Sequence, residues 1–343
     1  MQYIAFRFHF NAPLHLSDSR EDLTTAEKVL HSDTIYAAIM QIWAKLGKAT
    51  WIEEYKNAFH LSSAFPFLEI ENKIHYFLPA LRFPSNSITN KEDTSSKERK
   101  KFKKIRYLEI PLYTNLLHGT SIEYALDNTE GEFYFSHPLD AATRTIVKES
   151  ITTQTIPRIR KGTAEADPEI FYMQKTYFNN AGFYCLAICD TPEAKQAISI
   201  ALKTLQYEGF GTDRTVGNGL FTLHIEDNVE IAHPKTTPTH YTNLGIFGTE
   251  DGNELQEMIG NQQTEKLSYE IIKRGGWISE PHTTYRKRSI YMFQAGGVWN
   301  TTSKLHTTSC VGSIFDLRPD ILKGLHPIYR VGRTIFLPIS IPS

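Results

Sequence analysis

The feature that most constrains the fold is a glycine-rich segment, residues 208–220, between a predicted helix and a predicted strand. It reads EGFGTDRTVGNGL and holds four glycines around one arginine. Thr191 and Pro192 open a run of apolar residues at helical spacing, and residues 220–225 predict a strand. A dinucleotide-binding fingerprint has the reverse order, and a Walker loop needs a G-x4-G-K-[ST] string that the chain lacks. The order of elements therefore argues against a dinucleotide-binding loop, and the missing string argues against a Walker loop.

The composition of this loop nevertheless suits phosphate groups. Glycine lets the backbone approach an anion closely and adopt positive φ, and arginine offers a rigid fork of donors. A flexible connection between helix and strand is the alternative interpretation, which spacing alone does not exclude. The residues that we expect to contact a phosphate-bearing ligand here are Gly209, Phe210, Gly211, Arg214, Gly217 and Gly219.

Length and charge bound the remaining interpretation. A chain of 343 residues predicts two domains, with a boundary at the proline- and threonine-rich residues 233–241. The net charge is only −1, so a nucleic-acid site has to be a local patch. The three cysteines form no metal-binding pattern and fit a reducing compartment. The chain has no signal-like start and no run of about 18 apolar residues, which predicts a cytoplasmic protein without membrane association.

The predicted elements follow a β-α-β-β-α-β order, which is the ferredoxin-like succession and belongs to the α+β class. Domain 1–232 is expected to contain this unit, and domain 233–343 a smaller β-rich unit, a degenerate copy of the first. The segments expected between the regular elements are a basic insertion (85–106), an irregular link (107–143), a long hairpin (144–175) and the glycine loop (208–220).

Basic residues outside the glycine loop supply further candidates. His31 and Ser32 stand where the helix at residues 32–46 begins, with Ser32 as its N-cap, and a helix N-terminus can receive a phosphate. Arg158, Arg160 and Lys161 cluster on the hairpin. Residues expected to serve either RNA or a subunit interface are Lys100, Lys101, Lys273, Arg274, Arg330 and Arg333. The histidines are scattered without metal-ligand spacing, so no metal or cofactor is expected.

Several motifs resemble one known family. The glycine loop after a helix is similar to the signature loop of the repeat-associated mysterious protein (RAMP) superfamily of CRISPR systems. Four further motifs resemble the Csm-complex subunit of type III-A systems that caps the 5′ handle of the CRISPR RNA. These motifs are LHSDTIYAAI (30–39), YFLPALRFP (76–84), KRGGWIS (273–279) and HPIYRVGRTIFLPI (326–339).

The resemblance implies two ferredoxin-like domains and a non-catalytic subunit of an antiviral ribonucleoprotein. It implies that the 5′ handle of the CRISPR RNA, a large polymerase-like subunit and a RAMP backbone subunit are the partners. It also implies that the hairpin is a thumb that displaces a nucleotide. The alternative function is a metal-independent endoribonuclease that processes CRISPR RNA with His31 as general acid or base. Cleavage of repeat RNA that is abolished by His31→Ala would favour that alternative.

Overall fold

The structure is a computed structural model, and it describes most of the chain. The described residues are 2–17, 23–82, 88–89, 100–120, 122–123, 125–162, 167–260, 267–278, 282–322, 324 and 326–340. Most of the predicted basic insertion, residues 85–87 and 90–99, lies outside this set, as do residues 163–166 in the predicted hairpin.

The chain is a mixed α+β protein, as the sequence predicts. The strands are β1 (Gln2–Phe10), β2 (Phe59–Leu61), β3 (Phe65–Ile70), β4 (Lys73–Pro79), β5 (Ile88–Thr89), β6 (Tyr107–Glu109), β7 (Ile122–Glu123), β8 (Thr129–Glu130), β9 (Phe133–Tyr134), β10 (Ile151–Arg160), β11 (Glu169–Phe178), β12 (Ala181–Cys189), β13 (Phe221–Glu230), β14 (His240–Asn243), β15 (Ile271–Arg274), β16 (Ile290–Phe293), β17 (Val298–Asn300), β18 (Cys310–Val311), β19 (Ile314–Asp316), β20 (Tyr329–Val331) and β21 (Thr334–Ile339).

The α-helices alternate with these strands. They are α1 (Ser32–Lys45), α2 (Thr50–Tyr55), α3 (Ile110–Leu117), α4 (Ala141–Ser150), α5 (Pro192–Leu205), α6 (Gly252–Ile259) and α7 (Ser303–Thr307). Short 3-10 turns cover Leu126–Asn128, Arg214–Val216 and Asp320–Leu322.

The main sheet has the strand order β13-β1-β12-β3-β4-β6-β9-β8, with β2 also paired to β12. Strand β1 is antiparallel to both of its neighbours, β12 and β13. Glu71 and Asn72 form the tight turn between β3 and β4, and both have positive φ. Asn72 suits this turn, because asparagine tolerates the left-handed region better than most residues.

The two faces of the main sheet are covered by different partners. Alternate residues of β1 divide between them: Phe6 and Phe8 belong to a core with helices α1 and α5, and Tyr3 and Ala5 to a second core. The Trp43 indole joins the two helices, because its Nε1 donates to the Ala197 carbonyl oxygen at 2.9 Å.

The second core joins the two predicted domains. It contains residues of the main sheet and also residues of β17 and β21. Strands β17, β14, β21 and β18 form the smaller sheet, in that order. The C-terminal residues are therefore packed against the main sheet rather than held only by a linker.

The structure corrects three predictions of local structure. Residues 107–143 are not an irregular link, because they form β6, helices α3 and part of α4, and the strands that widen the main sheet. Residues 144–150 of the predicted hairpin belong to helix α4, and the hairpin itself consists of β10 and β11. Helix α1 begins at Ser32, and His31 rather than Ser32 is its N-cap.

Candidate functional site

A groove runs along one face of helix α1. Its volume is about 1040 Å³, and its floor is made of small or flexible side chains of α1 such as Ala37 and Gln41. One wall is the end of helix α5 and the glycine loop, with Tyr207 and Arg214. The opposite wall belongs to the predicted domain at residues 233–343, which is here called the C-terminal unit. The residues of that wall are Trp277, Ile278, His282, Thr283, Lys287, His326, Pro327, Ile328 and Tyr329.

A smaller pocket of about 280 Å³ lies toward the N-terminal end of α1. It is lined by His31 and by the first half of the glycine loop. Both cavities are lined by Ala37, Gln41 and Arg214. Arg214 therefore stands at the junction of one path that follows helix α1 from its first turn to its last.

The glycines of the loop have positive φ, as predicted, but three of them face the protein itself. A Cβ atom at Gly211 would lie 2.2 Å from the His15 carbonyl oxygen, and one at Gly219 would lie 1.9 Å from that of Phe210. At Gly209 it would lie 2.8 Å from backbone atoms of residues 218 and 219. Only at Gly217 would it meet open space. At three of the four positions the missing side chain therefore serves close packing of the chain on itself, and contact of the glycine backbone with RNA stays a prediction.

Two further candidates have buried side chains: Ser32 lines neither cavity, and Phe210 adds only a buried ring to the lining of the smaller pocket. The Phe210 ring stacks on Phe221, with ring centroids 5.3 Å apart, and it is 3% exposed. Ser32 is fully buried, and its Oγ accepts a hydrogen bond from the Ile246 N–H at 2.9 Å. We therefore correct the prediction that these two side chains contact RNA directly. Phe210 supports the loop, and Ser32 ties α1 to the C-terminal unit.

Arg214 remains accessible where the sequence places it. Its Nη1 lies 3.8 Å from Glu208 Oε2, and the same carboxylate oxygen accepts from Lys45 Nζ at 2.6 Å. About a third of each of the Arg214 and Glu208 side chains is exposed, so this ion pair is screened by solvent. A phosphate in the path therefore competes with one exposed carboxylate for Arg214.

His31 lies at the start of helix α1 beside the smaller pocket. Its carbonyl oxygen accepts from the N–H groups of Thr34 and Ile35, at 3.0 and 3.2 Å. Its Nε2 lies 4.0 Å from Glu27 Oε2. The side chain is mostly buried, with an edge that lines the pocket. This geometry is that of a residue that shapes the helix entrance.

A buried charge cluster holds helix α1 against the C-terminal unit. Asp33 accepts from Arg274 Nε at 2.9 Å and from Arg330 Nη1, and all three residues are buried. Burial alone would raise the pKa of Asp33, but Arg274 and Arg330 outweigh it and hold that pKa well below its usual range. Arg274 and Arg330, predicted to serve RNA or a subunit interface, are thus buried ion-pair partners of Asp33, and Arg274 also lines the smaller pocket.

The hairpin contacts the glycine loop through its basic side. Arg158 Nη2 lies 3.4 Å from Asp213 Oδ2. Lys175 is buried and donates to Asn218 Oδ1 at 3.0 Å. Arg160 points away to Glu169 at 3.5 Å and is exposed, as is Lys161. The structure therefore brings Arg158 to the loop and leaves the other two cations on the outer part of the hairpin.

The remaining predicted cations do not line either cavity. Lys100, Lys101 and Lys273 are exposed on the surface. Arg333 donates to the Gly312 carbonyl oxygen and to Asn57 Oδ1, at 3.3 and 3.2 Å. These four positions stay candidates for contact with RNA outside the two cavities or with another subunit.

Sequence reasoning missed the aromatic and cationic residues of the C-terminal wall. Trp277 carries the Arg286 guanidinium over its ring at 4.7 Å, and Lys287 follows directly in the chain. Tyr207, on the other wall, is 79% exposed. The motifs at residues 273–279 and 326–339 contain part of this wall, and the basic triplet at residues 286–288 contains Lys287.

In the described ranges, no group of three or more His, Cys, Asp or Glu side chains is arranged to hold a metal ion. Among the helices formed by these residues, none is both long and apolar enough to span a membrane.

Comparisons of sequence and of structure both find Csm4 proteins similar to this chain. Residues 239–339 match the family model for the CRISPR Csm4 C-terminal domain. The CRISPR system Cms protein Csm4 of Mycobacterium tuberculosis is 25% identical over 345 residues, which covers 97% of each chain. The chain thus resembles Csm4 proteins over nearly its whole length.

Two solved structures share the fold. A crystal structure of a Csm3-Csm4 subcomplex of the type III-A CRISPR-Cas interference complex aligns with a TM-score of 0.62 and 18% identity. That alignment covers 99% of this chain and 100% of the other. A Csm1-Csm4 cassette in complex with cA4 aligns with a TM-score of 0.59 and 15% identity, over 100% of both chains.

Proposed function

We infer that the chain belongs to the Csm4 subunits of type III-A CRISPR complexes, and we propose that it binds the 5′ handle of the CRISPR RNA without catalysing a reaction. The proposal rests on the full-length resemblance to Csm4 proteins and on one structural observation. That observation is the path along helix α1, in which Arg214 joins the groove and the smaller pocket.

The chemistry of the path fits a single-stranded RNA. Cations on the walls can pair with phosphates, and exposed rings such as Tyr207 can stack with unpaired bases. Small side chains on the floor, such as Ala37, leave room for the strand beside the helix. The overall charge of the chain is nearly neutral, so this local arrangement has to supply the affinity.

The partners follow from the same resemblance. Because relatives have been crystallised as Csm3-Csm4 and Csm1-Csm4 assemblies, we propose that this chain joins a large subunit of the Csm1 type to a backbone subunit of the Csm3 type. The exposed cations Lys100, Lys101 and Lys273 are then available to those subunits.

The two-domain, ferredoxin-like description belongs to the same proposal. In the main sheet, strands β13, β1, β12 and β3 are neighbours, and with helices α1 and α5 they follow the chain order β1-α1-β3-β12-α5-β13. In the smaller sheet, β14 lies between β17 and β21, as β1 lies between its own two neighbours. This parallel supports a degenerate copy at 233–343, with 1–232 as the larger domain.

The position of His31 supports a structural rather than a catalytic role. A general acid or base must reach the proton that it transfers, within hydrogen-bond distance of the substrate. The His31 side chain is 9% exposed, and its backbone caps helix α1. We therefore propose that it positions the helix entrance beside the RNA.

Arg214→Ala tests the proposed site. We expect weaker binding of an RNA with the host repeat's 5′-handle sequence, because one phosphate contact is lost. The slope of log affinity against log salt should fall in magnitude by about 0.7, the value for one contact with a single strand. Fluorescence anisotropy over a series of salt concentrations measures both quantities.

The matched control is Lys235→Ala, which removes an exposed cation that lines neither cavity. It should leave both the affinity and the slope unchanged. If Arg214→Ala behaves like this control, Arg214 is not in the RNA site.

A further inference from the structure

Lys287 lies on the wall of the groove that belongs to the C-terminal unit. Its backbone N–H donates to the Gly276 carbonyl oxygen at 2.9 Å, and the preceding residue pairs with Trp277 in an isolated bridge. These contacts fix the start of the side chain. Arg214 lines the same groove from the glycine-loop side. The two cations therefore belong to opposite walls of one cavity.

The surroundings of Lys287 are positively charged. It is close to both Asp33 and Arg330. The carboxylate oxygens of Asp33 already accept hydrogen bonds from the guanidinium groups of Arg274 and Arg330. Asp33 is therefore committed to other cations and cannot act as the full counter-ion of Lys287.

Lys287 itself has no ion pair among the described residues. No carboxylate of the described ranges lies within 4.0 Å of its Nζ, and no hydrogen bond from this atom to those residues is found. An ammonium group carries three donors and no acceptor, and a half-buried one is stabilised by an anion that supplies acceptors. The groove is the side from which such an anion can arrive.

We propose that Lys287 binds a phosphate group of the RNA strand in the groove, on the wall opposite Arg214. The proposal rests on the proposed function and adds a residue and a geometry to it. The strand contacts the glycine loop through one phosphate and the C-terminal unit through another. Binding of the RNA thereby holds the two walls of the groove together.

A dependence on pH follows from the surroundings of this lysine. Burial, and then the nearby Arg330, lower the pKa of Lys287 to about 8, against the opposing effect of Asp33. In the free protein, the ammonium is mostly charged at pH 7 and mostly neutral at pH 9. A phosphate favours the charged form, so RNA affinity should fall by about tenfold between these two pH values.

Other titratable groups near the path have to be controlled. His282, His326 and Tyr329 line the groove, and Asp33 and Arg330 lie near Lys287 from α1 and β20. Lys175, at the base of the hairpin, also has a lowered pKa, caused first by burial and then by Arg158. Lys287→Arg keeps all of these groups and replaces only the titrating ammonium, because arginine stays charged at pH 9.

The experiment measures binding of the 5′-handle RNA to the full chain and to two variants. Lys287→Met should weaken binding about tenfold at pH 7 and reduce the magnitude of the salt slope by about 0.7. Lys287→Arg should bind like the wild type at pH 7 and lose much less affinity at pH 9. A merely structural role of Lys287 would not produce this difference in the pH profiles.

The outcomes separate the two proposals. If the wild type binds the handle no better than a scrambled RNA of the same composition, the proposed function fails, and the further inference fails with it. If the wild type prefers the handle but Lys287→Met has wild-type affinity and slope, only the inference is overturned. If Lys287→Met does not fold, the pH comparison decides: a Lys287→Arg variant that loses affinity like the wild type overturns the inference.

Discussion

Replacement of Asp33 by asparagine is expected to lower the free energy of unfolding by about 3–5 kcal/mol, because it leaves two buried arginines without their carboxylate. Arg274 and Arg330 both donate to this side chain, and all three residues are buried. The substitution conserves shape and removes charge, so it isolates the ion pairs from packing. Urea unfolding of the full chain, monitored by circular dichroism, gives the difference.

Asp227→Asn is the matched control for this substitution. Asp227 pairs with Lys195 at 2.8 Å, but its side chain is 52% exposed. Exposed pairs contribute at most about 1 kcal/mol, so the control should change stability little. Equal stability losses for the two variants would contradict the role that we assign to the buried cluster.

Low pH should weaken the ion pairs of Asp33 with Arg274 and Arg330. The folded-state pKa of Asp33 is held well below its usual range, despite burial, by Arg274 and Arg330. A carboxyl group with a lowered folded-state pKa contributes stability above its unfolded pKa, near 4, and loses it progressively as the pH falls below that value. The stability advantage of the wild type over Asp33→Asn should therefore shrink below about pH 4 in the same unfolding experiment.

Gly219→Ala is expected to destabilise the protein by about 3 kcal/mol, whereas Gly217→Ala should cost only about 1 kcal/mol. Both glycines have positive φ, so each substitution introduces similar backbone strain. The difference lies in the space around them. A methyl group at Gly219 would lie 1.9 Å from the Phe210 carbonyl oxygen, and one at Gly217 would meet nothing within 4 Å.

The pair of variants tests what the glycine loop is for. If three of the four glycines serve the close approach of the chain to itself, the loss at position 219 should be much larger than at 217. The Phe210 N–H to Gly219 carbonyl contact, 3.0 Å long, would also be disturbed at position 219. Thermal and urea unfolding of both variants measure the difference, and equal losses would show that crowding at Gly219 has no energetic consequence.

The local order of elements could be read from the sequence. Helix α5, the glycine loop and strand β13 follow one another as the apolar spacing predicts. Such features depend on neighbours in the chain, and local patterns suffice to predict them.

The burial and the partners of individual side chains could not be predicted from local patterns. Arg274 and Arg330 were expected on the surface, because arginines usually are. Their partner Asp33 is 241 and 297 positions away in the chain, so no local pattern indicates that they are paired. Lys287 received no specific role from the sequence for a similar reason, because its place in the groove depends on how the C-terminal unit packs against helix α1.

The segment at residues 107–143 shows a different limit. Its strands are two or three residues long, too short for a period-two pattern to stand out. They are stabilised by pairing, since β6 joins β4 and β9 at the edge of the main sheet. Tertiary context, rather than propensity, decides the structure of this segment.

The most direct test of an RNA path along helix α1 is photo-crosslinking of the full chain to a 5′-handle RNA that carries photoreactive uridines. Mass spectrometry then identifies the cross-linked peptides. We predict cross-links on both walls of the groove, in the peptides that contain Tyr207 and Trp277. Cross-links confined to the outer hairpin or to residues 100–106, with none in the groove, would contradict this account.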